Sequence, residues 1–308
     1  MERDAPRNPQ NDIMQLLGHY VSSGIFLELE DENHVRLDCL FGWIQVQGYP
    51  KQSPLAMVRD IELLSKILWE DRKTFFKALK STYYPGISAI IFALWRVSRQ
   101  ESPTSTFQYA VVNEISFRYN LLSTSDQQHG MTYINIDILD SKSLSIWDEI
   151  TQQVDLEDCR QVINAYIERF EPRHPVLYTS IPVMHGPIFL RPVARFVAPG
   201  TEDLLPKVLE VTVKRIWDQM KDPAKPHKPD LYVDAIRDTF ANYTAVLRNS
   251  VFGQTNHALF QKLVDIIIRY DLIDLAAHAV LMLELPSEPP APELVRTIYL
   301  ALNNFMAN

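Results

Sequence analysis

Cysteine and glycine are both scarce in this sequence. The only cysteines are Cys39 and Cys159, too few for a disulfide framework or a set of zinc ligands. We therefore predict a protein of a reduced, intracellular compartment. Glycine occurs nine times in 308 residues. Because phosphate-binding loops and the tight turns of β proteins depend on glycine, its scarcity disfavours a nucleotide-binding enzyme and a turn-rich all-β fold.

Motifs of common catalytic sites are also missing. The chain has no glycine-rich phosphate loop, no G-x-S-x-G nucleophile motif, no H-E-x-x-H zinc motif and no D-D-x-x-D metal cluster. We expect no cofactor and no bound metal, and we favour a protein without catalytic activity. An enzyme with an unfamiliar motif stays open as an alternative.

Basic stretches and long apolar runs are absent as well. The formal net charge is −8, and no Lys/Arg-rich run is long enough to follow a phosphate backbone. No apolar run reaches the length needed to cross a bilayer, and the polar N-terminus lacks the apolar core of a secretory signal. We therefore expect no binding to nucleic acid or membrane, and a cytoplasmic or nuclear location.

The residues that are abundant are typical of a mainly helical protein. Apolar residues make up 46% of the chain, enough for a core, and 20 prolines indicate many short helices that end and change direction. Residues 257–285 read HALFQKLVDIIIRYDLIDLAAHAVLMLEL, with apolar spacings of three and four on both sides of a polar break at 269–271. This predicts two adjoining helices, each too apolar to be stable alone in water. Such pairs build helical bundles and solenoids.

Similar spacings predict that most of the remaining chain is helical. The predicted helices cover residues 12–21, 32–46, 54–68, 71–82, 87–97, 107–122, 155–170, 201–220, 231–247 and 294–305. The first of these places one group of apolar residues on a single face: Ile13, Leu16, Leu17 and Tyr20. The helix at 54–68 has a predicted buried stripe: Leu55, Val58, Ile61, Leu64, Ile67 and Leu68.

Three segments are ambiguous or irregular. Around residues 25–29 apolar and polar residues alternate as in a strand. At 132–139 a similar alternation fits either a short strand pair or the start of a helix. Residues 123–130 are polar, which predicts an internal mobile loop.

We predict an all-α fold, either an irregular helical repeat like an α-solenoid or a helical bundle. Residues 171–206 contain seven prolines, the strongest change of composition in the chain. We therefore divide the sequence into a disordered arm at 1–11, an N-terminal helical region at 12–170, a proline-rich crossover at 171–206 and a C-terminal helical region at 207–308. One continuous domain is the alternative.

This succession of helices resembles degenerate HEAT and armadillo repeats, which are defined by helix geometry more than by residue identity. Two sequences, LLSKILWEDRKTFFKAL at 63–79 and DIIIRYDLIDLAAHAVL at 265–281, also resemble the helical flanks of fungal MYND-finger proteins. The paired-cysteine finger of that family is absent here, so this second resemblance implies neither a zinc site nor a known partner. The repeat resemblance implies stacked helices that bind a partner along a groove.

The proline-rich crossover contains the best candidates for a ligand site. His174 and His185 flank its proline-dense part, and Arg191 and Arg195 follow. Arginines there could hold a carboxylate or phosphate while a histidine handles a proton. The alternative is an irregular crossover whose charged residues line its outer rim, and no activated nucleophile accompanies the histidines.

The function that we predict is a non-enzymatic scaffold that binds another protein in a groove of stacked helices. Because the chain is acidic, we expect a partner with a basic or helical segment. The alternative is a helical protein that binds a small molecule, or an unrecognised enzyme, with a pocket behind residues 171–206.

Overall fold

The structure is a computed structural model that describes residues 9–30, 57–100, 106–128, 131, 134, 155–172, 178, 186–221, 229–251 and 257–281. Within these residues the secondary structure is helical, without a strand, which confirms the all-α prediction. At 132–139 only Ile134 is described, and it is helical and fully buried. The predicted helices at 32–46 and 294–305 lie outside the described residues.

Twelve α-helices are described, together with two short 3-10 turns. The first six are α1 (Pro9–Glu30), α2 (Val58–Glu70), α3 (Arg72–Ser81), α4 (Ile87–Gln100), α5 (Thr106–Leu122) and α6 (Ser125–Gln128). The next six are α7 (Leu156–Phe170), α8 (Gly186–Val193), α9 (Leu205–Met220), α10 (Pro229–Val251), α11 (His257–Arg269) and α12 (Leu272–Leu281). The 3-10 turns cover Ala194–Phe196 and Glu202–Leu204.

Helix α5 is the centre of the packing because nearly all of its sides are buried. One face carries Ala110, Phe117 and Leu121 into a large apolar cluster that extends to α12. The opposite side carries Val111 and Ile115 into a second cluster formed with α1, α2, α3 and α4. A helix that contributes to two clusters joins them into one continuous packing arrangement.

Helix α1 is longer than predicted and is oriented differently. It begins at Pro9 inside the predicted disordered arm, and it continues to Glu30 through the residues that alternate like a strand. Its apolar face is exposed, as the outward positions of four side chains show: Ile13, Leu16, Leu17 and Tyr20. Gly18 and Ser22 are buried instead, and α1 packs against α4 and α6. The Ser22 hydroxyl donates to the Gln127 carbonyl at 3.2 Å.

Helix α2 buries a narrower stripe than predicted. Met57 has an extended backbone and α2 begins at Val58, so the predicted helix over 54–68 was wrong at residue 57. Residues 53–56 lie outside the described residues. Ile61 is buried, whereas Val58 and Ile67 are exposed. A buried serine, Ser65, occupies the helix face one turn beyond Ile61. The buried face is therefore rotated away from the most apolar one.

The polar segment after α5 is packed and is not a loop over its described length. Residues 125–128 form α6, and Ser123, Thr124 and Gln127 are buried. The Gln127 side chain accepts from the Thr124 backbone N–H at 3.1 Å and donates to the Tyr84 carbonyl at 2.9 Å. Because these polar groups satisfy one another, burying them costs little. The prediction of a mobile connection at 123–128 was wrong.

The described part of the proline-rich crossover crosses the core. Helix α8 and the turn after it bury four apolar side chains in the large cluster: Phe189, Leu190, Val193 and Phe196. Pro192 lies inside α8 near its end. The cluster draws residues from both sides of this segment, from Phe76 to Ala279. Among the helices in the described ranges, none has the length and apolar composition that crossing a bilayer requires.

Candidate functional site

The predicted ligand residues are not brought together in the part of the chain that is described. His174 and His185 lie outside the described residues. Arg191 is exposed on α8, and Arg195 is half-buried in the following 3-10 turn. The anion pocket predicted from these four residues therefore stays a prediction.

A buried ion cluster at Arg118 is the most highly connected polar site of the described core. From α5, the Arg118 guanidinium donates to both carboxylate oxygens of Asp158 on α7, at 2.8 and 2.7 Å. Its Nε donates to Oε1 of Glu114, one turn earlier, at 3.0 Å. Arg72 of α3 adds a further contact of 3.4 Å from its Nε to Glu114. Ion pairs thus connect the three helices α3, α5 and α7.

Arg118 is fully buried between two aromatic rings, those of Phe76 and Phe196. Burial alone would lower the pKa of Arg118, but its bonds with Asp158 and Glu114 raise that pKa above its usual value. The two-pronged bond to Asp158 is the geometry for which the planar guanidinium is suited. This cluster is therefore a satisfied structural site.

Arg169 is a second buried arginine, and it has the opposite surroundings. It lies near the end of α7 and is 2% exposed. Among the described residues, none of its three guanidinium nitrogens has a hydrogen-bond partner. Burial is the cause that lowers the pKa of Arg169 to about 10. At neutral pH the guanidinium is therefore still charged, because that pKa lies well above 7.

The carboxylates nearest to Arg169 in sequence are occupied elsewhere. Glu168 forms an ion pair with Lys80 of α3 at 3.0 Å. Glu171 binds Lys207 and Lys214 of α9 at 2.9 and 2.8 Å. These lysines hold the pKa of Glu171 down at about 2. These two acids thus pair with lysines on neighbouring helices, and no carboxylate of the described residues pairs with the buried Arg169.

Helix periodicity places Arg169 on the side of α7 that faces α5 and α8. The face of α7 that carries Arg169 also carries the residues four, seven and eleven positions earlier: Ala165, Val162 and Asp158. Asp158 on this face binds Arg118, which lies over the ring of Phe196 just after α8. Gly186, at the start of α8, lies beside Phe170 at the other end of α7. Helix α8 therefore runs antiparallel to α7 and begins near the Phe170 end of that helix.

A second buried polar group without a described partner, the Thr239 hydroxyl, lies beside the start of α8. The Thr239 hydroxyl of α10 lies 3.7 Å from the position of a Cβ added at Gly186, and an edge atom of the Phe170 ring lies at 3.9 Å. Thr239 is 3% exposed, and its hydroxyl has no hydrogen-bond partner in the described ranges. One turn later on α10, Asn242 donates to the Pro187 carbonyl at 3.3 Å. Side chains of α10 therefore face the N-terminus of α8.

An open groove of about 240 Å³ adjoins this region. Its lining comes from the end of α7 and from one side of α9: Phe170, Glu171, Pro172, Val211, Lys214, Arg215 and Asp218. The Phe170 ring thus borders the groove and also reaches Gly186.

The C-terminal helix pair has a different character, because it exposes large apolar side chains. On α11 these are Phe260, Ile267 and Ile268; on α12 they are Ile273, Val280 and Leu281. Ile273 and Leu281 are 81% and 82% exposed. The opposite sides of both helices are packed, through Leu263 on α11 and Leu275 on α12. Each helix therefore has an apolar stripe in the core and another in solvent.

Trp217 of α9 holds this pair in place. Its indole N–H donates to the Tyr270 carbonyl between the two helices at 2.7 Å. The Trp217 ring also meets the edge of the His278 ring, with centroids 5.6 Å apart. Asp271 has a φ of 45°, and its carboxylate accepts from the Asp274 N–H at the start of α12. Specific hydrogen bonds thus hold the connection between α11 and α12.

Sequence reasoning missed both buried arginines. The Glu114–Arg118 spacing of four residues was a visible signal for a local ion pair. Arg169 also stood out, because it interrupts the buried face of α7 that Val162 and Ala165 form. Among the described residues, no group of three or more His, Cys, Asp or Glu side chains could hold a metal ion.

Comparison with known proteins adds no relative to this picture. No family model, no curated protein and no solved structure matches the chain.

Proposed function

We propose that the protein is an interaction scaffold that binds an amphipathic, basic helix of another protein on the exposed faces of α11 and α12. The observation that carries this proposal is the second apolar stripe on each of these two helices. Large exposed apolar surfaces on a folded protein mark contact sites for other molecules. An amphipathic partner helix would cover such stripes through side chains spaced three and four residues apart.

The charges beside the stripes favour a basic partner. Asp265 on α11 and Asp271 and Asp274 at the start of α12 are exposed. The exposed basic residues of α11, Lys262 and Arg269, lie near acids of other elements, Asp203 and Glu210. The chain as a whole carries a formal charge of −8. A partner helix with lysines or arginines along its edges would be attracted to this rim, and mismatched acidic partners would be repelled.

The rigid placement of the pair supports binding as well. The bonds of Trp217 and Asp271 set the two helices before any partner arrives, so little ordering accompanies association. Residues such as Ile268 and Ile273 would then act as central anchors. Stacked helices that present a binding face are the architecture that we predicted from the sequence.

The test is purification from the native source with two variants. Ile268→Glu combined with Ile273→Glu places two charges in the stripes, while Leu63→Glu alters an exposed apolar residue of α2 and serves as the matched control. Native mass spectrometry of the wild type should show a stoichiometric protein partner, which Leu63→Glu retains and the double variant loses. Hydrogen exchange should show protection on α11 and α12 and on a basic helical segment of the partner. Retention of the partner by the double variant would contradict the proposal, and so would a homodimer as the only complex.

A further inference from the structure

We propose that Arg169, the N-terminus of α8 and the Thr239 hydroxyl form a buried binding site for the carboxylate or phosphate group of a small ligand. The site is separate from the helix pair α11 and α12, and its evidence is independent of the interaction surface.

The first support is the uncompensated charge of Arg169. The guanidinium is buried, and none of its nitrogens has a partner among the described residues. A buried ionised group without a counter-charge is costly, so buried charges in proteins are paired or bind a ligand. A guanidinium presents its N–H groups in a planar fork, which matches two oxygens of a carboxylate or phosphate.

The second support is the positive end of a helix at the same end of α7. Helix α8 begins at Gly186, beside the ring of Phe170, the residue that follows Arg169. The first N–H groups of a helix have no intrahelical acceptor and carry a partial positive charge, which favours an anion. Two positive features therefore lie near the same end of α7.

The third support is Thr239, which faces the start of α8 from α10. Its hydroxyl is buried, has no described partner and lies 3.7 Å from the Cβ position of Gly186. A hydroxyl can donate a hydrogen bond to an anion held by the arginine and the helix end. An unpartnered hydroxyl on α10 thus lies against the start of α8, and the unpartnered Arg169 is on the last turn of α7, next to Phe170, whose ring also lies beside that start.

The groove at Phe170 gives the ligand room for the rest of its structure. It is lined by Phe170, whose ring lies beside Gly186, and its charged lining consists of Lys214, Arg215, Glu171 and Asp218. The oxyanion group would bind behind Phe170, while the remainder of the ligand occupies the groove.

The experiment measures the thermal unfolding midpoint of the full chain in inorganic phosphate and, separately, in acetate. Potassium chloride keeps the ionic strength constant, because exposed charges respond to salt. A ligand that binds only the folded state raises the midpoint as its concentration exceeds the dissociation constant. General salt effects act on every variant alike, so the comparison between variants removes them.

Arg169→Met is the decisive variant, and Arg160→Met is its matched control. Arg160 is on the same helix but is half-exposed and paired with Asp203 at 2.6 Å. The wild type and Arg160→Met should show the same rise of the midpoint, and Arg169→Met should show none. Thr239→Val should need a roughly tenfold higher anion concentration for the same rise of the midpoint, because it loses one hydrogen bond to the anion. This second variant decides the matter if Arg169→Met does not fold.

A rise with phosphate alone identifies a phosphate site, and a rise with acetate identifies a carboxylate site. The proposal is overturned if Arg169→Met and Thr239→Val show the full rise of the wild type. It is equally overturned if neither anion raises the wild-type midpoint by more than it raises the midpoint of Arg169→Met.

Discussion

Two buried arginines on neighbouring helices of one core have opposite surroundings. Arg118 on α5 has three hydrogen bonds to carboxylates and lies between two aromatic rings. Arg169 on α7 is about equally buried but has no described partner. The chain can therefore compensate a buried guanidinium fully, and within the described ranges it does not compensate that of Arg169. A difference of this kind separates an arginine that stabilises the fold from one that is available to a ligand.

The largest expected effect is the loss of Arg118. Arg118→Met leaves two carboxylates, those of Glu114 and Asp158, buried near each other without their counter-charge. Breaking a buried pair in this way costs about 3–5 kcal/mol of unfolding free energy. Urea unfolding measures this loss. As the control, Arg160→Met removes an exposed ion pair of α7 and should lower the unfolding free energy by about 1 kcal/mol or less. An equally small loss of unfolding free energy for Arg118→Met would contradict the structural role of the Arg118 cluster.

The second expected effect has the opposite sign. Arg169→Met removes a buried charge that has no described partner and replaces it with an apolar side chain of similar length. In buffer without phosphate or carboxylates, we expect the unfolding free energy to rise by about 1 kcal/mol or more. The same urea titration measures it. A loss comparable to that of Arg118→Met would mean that Arg169 has a stabilising role of its own.

A neutral hydrogen bond beside these charges should matter less. The Tyr166 hydroxyl and the Thr212 hydroxyl are 2.8 Å apart in the core, and Thr212 also donates to the Val208 carbonyl. Tyr166→Phe therefore removes one bond while Thr212 keeps another. We expect a loss of about 1 kcal/mol in chemical denaturation. A loss as large as that of Arg118→Met would show that neutral groups here contribute as much as charges.

The smallest effect is expected at Glu171, the exposed acid that pairs with lysines of α9. Its pKa is lowered to about 2 by Lys207 first and Lys214 second. A carboxylate whose pKa is lower in the folded state adds stability that is complete above its usual pKa of about 4.5 and is lost as the pH falls toward 2. Because all three side chains are more than a third exposed, the contribution should stay below about 1 kcal/mol.

Glu171→Gln should flatten the pH dependence of the unfolding free energy between about pH 4.5 and 2. Denaturation at a series of pH values is the measurement. An unchanged slope in this window would show that the ion pairs with α9 do not contribute in solution.

Sequence periodicity predicted the helices well where one side of the helix is buried. The boundaries of α5, α7 and the pair α11 and α12 followed from spacings of three and four and from polar breaks. Periodicity does not tell which face of a helix the fold covers. Helix α1 is the clearest case, since its small residue Gly18 is buried and its larger residue Leu16 is exposed.

The buried polar sites could not be read from the sequence for a different reason. Asp158 lies 40 residues from Arg118, so their bond depends on how α7 packs on α5. The segment around Gln127 looked like a loop because its residues are polar, yet internal hydrogen bonds allow it to be buried. Arg169 showed only as a charge on an apolar face. Whether such a charge is compensated depends on the three-dimensional arrangement alone.

The most direct test of the difference between the two arginines is to measure unfolding free energies of the wild type, Arg118→Met and Arg169→Met side by side, first without phosphate and then at increasing phosphate concentration. We predict that Arg118→Met is the least stable of the three without phosphate and that Arg169→Met is at least as stable as the wild type. With phosphate, or with acetate if the site prefers a carboxylate, the wild type should gain stability that Arg169→Met does not gain. Equal losses for both variants without anion, together with equal gains of Arg169→Met and the wild type with anion, would contradict a ligand site at Arg169.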